Sequence, residues 1–63
     1  MISSPATEYV NLMRSCFKEA HEAKDYPSME AILSEMTQYG FTVEVFALAD
    51  LLSVEEKEKI GWE

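Results

Sequence analysis

Of the residue types that most often build chemical sites, this 63-residue chain has few: one cysteine, one histidine, two glycines and five basic residues. A lone Cys16 excludes an intramolecular disulfide and any cysteine-based zinc site. Gly40 and Gly61 stand alone, so no glycine-rich phosphate loop can form, and no Gly-x-Ser-x-Gly elbow presents a hydrolase serine. No apolar run approaches the roughly 18 residues that span a bilayer. The opening Met1-Ile2-Ser3-Ser4-Pro5 has neither the basic nor the long apolar region of a signal peptide. These absences, with a single thiol, make the cytoplasm the expected compartment.

The few reactive side chains do not combine. Cys16 and His21 lie five positions apart on one helix, where about 100° per residue turns them about 140° away from each other. A thiol on an apolar stripe is more often a small core residue than a nucleophile. His21 and Asp25 are one helical turn apart, but two ligands do not hold zinc, and no third is evident. The acids lack the alternating spacing around a central glycine that a calcium loop requires. The reading is a non-enzymatic chain with no catalytic residues, metal or cofactor.

Charge narrows the partners. Twelve acids against five bases give a net charge of −7. Seven of the acids (Asp25, Glu30, Glu35, Glu44, Asp50, Glu55 and Glu56) fall in a stretch with no Lys or Arg. Such a surface repels a phosphate backbone and an anionic membrane, so neither nucleic acid nor lipid is an expected partner. A glycine between two helices at Gly40 has the outline of a helix-turn-helix. The second helix, however, carries Glu44 and Asp50 in place of the Arg, Lys, Asn or Gln that read bases.

What the chain does have is helical pattern, and the expected fold is a small all-α bundle of three to four helices in a single domain. Ser4 caps a first helix over about 5–24, with Pro5 at its first position. Ala6, Tyr9, Met13, Cys16, Ala20 and Ala23 follow at spacings of three and four, and Val10, Leu12 and Phe17 widen the stripe. Asp25-Tyr26-Pro27-Ser28 breaks this helix, and a second runs over about 27–39 to Gly40. Residues 41–46 alternate as a strand would, but a lone strand has no partner here. The continuation through Leu52 favours a helix at about 43–52, with Thr42 as cap and Phe41 and Phe46 as a hydrophobic staple. Ser53-Val54-Glu55-Glu56 is a capping box opening a last short helix at about 54–60, after which Trp62 can fold back.

Size then becomes the argument. A chain this short buries only about 60% of the surface that its unfolded form exposes, and small domains usually add a disulfide, a metal or a partner. With the first two excluded, a homodimer completed through the broad stripe of the first helix is expected. Tyr9, Val10, Met13, Cys16, Phe17 and Ala20 are the interface residues. The acidic surface of Glu30, Glu35, Glu44, Asp50 and Glu55 supplies an alternative: mimicry of nucleic acid at the basic site of a DNA- or RNA-binding protein. That reading requires the acids to gather on one face. In size, charge and class the whole chain resembles the small acidic accessory proteins of bacteriophages. The resemblance implies a module that binds and modulates a host protein; it assigns no residue a role.

Overall fold

The computed structural model describes residues 4–62, which form an all-α bundle of four helices with no strand among them. α1 spans Pro5–Glu22, α2 Tyr26–Gln38, α3 Thr42–Ala49 and α4 Val54–Lys59. α1 packs mainly on α2, and α3 contacts both.

The helix ends follow from local chemistry. Ser4 Oγ accepts a hydrogen bond from the Thr7 N–H at 3.1 Å and starts α1. α1 ends at Glu22, two residues short of the expected 24, because Lys24 adopts φ +59. With Lys24 left-handed, the Asp25 N–H reaches Ala20 O at 2.8 Å and the Lys24 N–H reaches His21 O at 3.2 Å, a Schellman closure. Glycine normally fills that position, so the sequence carried no sign of it. Asp25 then caps α2 directly, its carboxylate accepting from the Ser28 N–H and hydroxyl, and Tyr26 is already helical. Pro27 therefore sits at the second helical position.

Gly40, at φ +86, closes α2 in the same way, with the Phe41 N–H donating to Met36 O at 3.0 Å. Phe41 is at once the end of that closure and the N-cap of α3, and it makes no side-chain cap. Thr42 is thus the first helical residue and not the cap. The staple does not form as expected either. Phe41 stacks on Tyr9, centroids 5.3 Å apart, and Phe46 meets Trp62 edge-on at 5.7 Å. α3 stops at Ala49, short of 52, because the chain must turn before Ser53 to form the next cap. That capping box is present: the Glu56 N–H donates to Ser53 Oγ at 3.2 Å, and the Ser53 N–H donates to Glu56 Oε1 at 2.9 Å. α4 closes through Gly61, and the Trp62 N–H bonds Lys57 O at 2.8 Å.

The core forms where α1, α2 and α3 meet. Phe17 and Ala20 of α1, Met29, Leu33 and Met36 of α2, and Val45 and Leu48 of α3 are buried together, with Leu52 and Ile60 closing one end. Removing each of the large side chains from water contributes about 1.5–3 kcal/mol. No polar side chain is buried in this cluster.

Candidate interaction surface

The broad stripe of α1 is used inside the protomer. Phe17 is fully enclosed, Val10 and Ala20 are buried, and Tyr9 and Met13 pack partly buried against the core. Cys16 is half-buried in a groove with Ala20, Ala23, Ala31 and Ile32, between α1 and α2. Val10, Phe17 and Ala20 are therefore not on the surface where pairing through α1 needs them. Phe17 and Ala20, one turn apart, pack with residues of α2 and α3 of the same chain. Leu12 is the only large apolar side chain of α1 left exposed among the described residues.

Tyr9 sits in a small aromatic group, stacked on Phe41 and edge-on to Tyr39 at 5.6 Å. Its hydroxyl is buried with no hydrogen-bond partner. Burial pushes the phenol above its ordinary value, and the nearby Glu35 carboxylate and Tyr39 add to the shift.

The exposed apolar surface belongs instead to α3 and its flanks. Of the eight residues of α3, only Thr42 and Glu44 are polar. Val45, Leu48 and Ala49 point into the core, while Val43 is 78% exposed and Phe46 54%. Val43, Phe46 and Ala47 lie at i, i+3 and i+4, hence on one face, and the same register carries Asp50 and then Leu51, 60% exposed in the following turn. Val54, at the start of α4, is 74% exposed. A helix apolar on every side is ordinarily buried on every side; α3 is covered on one. Trp62 borders the outward face through its contact with Phe46. On the opposite edge Leu48 and Leu51 share a groove with Arg14, Lys18, His21 and Glu22.

The polar contacts fix α4 rather than create a reactive centre. Glu56 Oε2 accepts from His21 Nε2–H at 2.8 Å and lies 3.5 Å from Lys24 Nζ. The Ser53 N–H, followed by His21 and Lys24, holds its carboxyl at about 2, overcoming the opposing effect of partial burial. One side chain thus caps α4 and ties it to the end of α1. Lys59 rests over the Tyr26 ring at 4.9 Å. Arg14 and Lys18 form no ion pair among the described residues.

The acids are spread over more than one groove. Glu30 lines a groove beside Trp62, Glu44 lines another with Arg14 and Phe41, and Glu35 lies near Tyr9. Asp50 and Glu55 are exposed elsewhere. Among the described residues no three His, Cys, Asp or Glu side chains are placed to hold a metal ion, and no helix is long and apolar enough to cross a membrane.

Val43, Leu51 and Val54 are exposed apolar residues that the sequence reading did not single out, whereas Phe46 and Trp62 could be read as either core or surface. One signal points to Val43 and Phe46: Thr42–Ala49 is too apolar for burial on one side to absorb.

No family model, curated protein or solved structure matches this chain.

Proposed function

We propose that the chain is a non-enzymatic protein-interaction module that pairs with itself through the outward face of α3. The observation that carries this reading is an α3 apolar on both sides and covered on one, with Val43 and Phe46 open to solvent. A second copy is the simplest cover. The chain is small, has a single cysteine and no metal site among the described residues to stabilise it, and a face shared by two copies removes both exposed stripes together. The pair then presents its remaining acidic surface to a further protein, in the manner that the resemblance to phage accessory proteins implies. Mimicry of nucleic acid has less support, because Glu30 lies in a different groove from Glu44.

Two copies at −7 each repel, so salt should favour the pair, the reverse of binding between opposite charges. Sedimentation equilibrium over a concentration series at low and high salt tests the reading. A reversible dimer that tightens with salt supports it; a monomer at every concentration removes it.

A further inference from the structure

The groove between α2 and the C-terminal turn has a composition unlike the rest of the surface. Leu33 and Ile60, both buried, form its floor. One wall is the polar face of α2: Glu30, Ser34, Thr37 and Gln38, at i, i+4, i+7 and i+8. The other wall is Trp62, held by its N–H bond to Lys57 O, by the left-handed Gly61 and by the edge of Phe46. The volume is about 350 Å³, near the lower end of the roughly 300–1,000 Å³ of ligand sites. That is room for a side chain or two and not for a large cofactor.

The α2 wall is rich in acceptors. Thr37 donates its hydroxyl hydrogen to Leu33 O at 2.8 Å, which leaves oxygen lone pairs facing outward. Glu30 can only accept when ionised, and it has no ion-pair partner among the described residues. Gln38 adds a carbonyl. An apolar floor, an indole wall and a row of acceptors match one side chain closely. Arginine carries an apolar stem, a planar cation that stacks on aromatic rings, and five N–H donors with no acceptor. Lysine matches less well, since its compact, strongly hydrated ammonium neither stacks nor forks. α2 itself carries no Lys or Arg, and the Lys59 ammonium, three residues before Trp62, is engaged over the Tyr26 ring.

We propose that this groove binds an arginine side chain of a basic segment in a partner protein, with the stem on Leu33 and Ile60, and the guanidinium between Trp62 and Glu30. The proposal rests on the protein-interaction reading above and names the chemistry of the partner.

Trp62 is the only tryptophan; it lines this groove and also touches Phe46 beside the α3 face, so its fluorescence is read at one fixed association state, set by sedimentation of the same samples. The probes are a blocked helical peptide of leucine, alanine and arginine, and its counterpart with every arginine replaced by glutamine. The arginine peptide should shift the Trp62 emission saturably, and the glutamine peptide should bind about tenfold more weakly or worse, as loss of a charged hydrogen bond implies. Glu30→Gln should weaken the arginine peptide by a similar factor. Glu55→Gln removes the same charge outside the groove and should leave binding within about twofold. Equal binding of the two peptides, equal loss in the two variants, or no Trp62 response overturns the proposal. Sedimentation of the same samples separates the two readings. A dimer with a silent Trp62 overturns the groove assignment alone, whereas a monomer with an arginine-dependent response overturns only the pairing through α3.

Discussion

Replacing Phe17 by alanine separates the two roles open to the stripe of α1, a core of the protomer or a face between two protomers. In the structure the Phe17 ring is fully enclosed by α2 and α3, packed in one cluster with Met29, Leu33, Met36, Val45 and Leu48. Truncating a buried phenylalanine costs about 3–5 kcal/mol, the sum of lost transfer energy and the cavity left behind. A domain of this length has a total stability of about 3–9 kcal/mol, from the usual 0.05–0.15 kcal/mol per residue. Phe17→Ala should therefore leave the chain close to unfolded in water. Phe17→Leu, costing about 1–2 kcal/mol, keeps a measurable folded baseline. With a urea slope of about 1 kcal/mol per molar for so small a domain, Phe17→Leu should lower the midpoint by about 1–2 M. The assay is urea unfolding followed by far-ultraviolet circular dichroism at several protein concentrations. Because the ring is buried within one chain, the shift relative to wild type should be the same at each concentration. A shift that vanishes on dilution would place Phe17 at a contact between copies and refute the packing argument. So would a loss of a few tenths of a kcal/mol.

Other perturbations probe other parts of the structure. Tyr9→Phe removes a buried hydroxyl that has no partner and should raise the thermal midpoint; a clear fall would mean that the hydroxyl is bonded in solution. Glu56 has a carboxyl lowered from 4.5 to about 2 in the fold, so its contribution is complete above pH 4.5 and lost as pH falls towards 2. Glu56→Gln should accordingly narrow its stability gap to wild type over that interval, measured by urea titration at stepped pH, and a constant gap would count against the hold of the Ser53 N–H, His21 and Lys24 on this carboxylate. Ser53→Ala breaks the capping box and should cost about 0.5–2 kcal/mol. The loss should appear as faster amide exchange at Glu56 and Lys57, with the α1 amides little changed.

The existence and order of all four helices were legible from spacing and caps, because Ser4, Pro5, Gly40 and the Ser53–Glu56 box act through bonds local in sequence. What was hidden depended on contacts or on unusual backbone. Lys24 takes a left-handed conformation that no residue type announced, which moved the end of α1 to Glu22 and the start of α2 to Tyr26. Phe41 served two helices at once, which displaced Thr42 as the cap. Of the stripe of Tyr9, Val10, Met13, Cys16, Phe17 and Ala20, the residues Val10, Phe17 and Ala20 are buried within one chain, and the other three are partly buried. Periodicity shows that a face is covered, not which chain covers it. The α3 face escaped because its outer and inner residues together leave little periodic contrast, although its near lack of polar residues was itself the clue.

The central claim is that α3, and not α1, carries the contact surface. Sedimentation equilibrium of wild type beside Val43→Glu and Leu12→Glu tests it most directly, since both place a charge at an exposed apolar position, one on each helix. The account predicts a dimer for wild type and Leu12→Glu, and a monomer for Val43→Glu that keeps its helical circular dichroism. A wild-type monomer, or a dimer broken by Leu12→Glu and untouched by Val43→Glu, would contradict it.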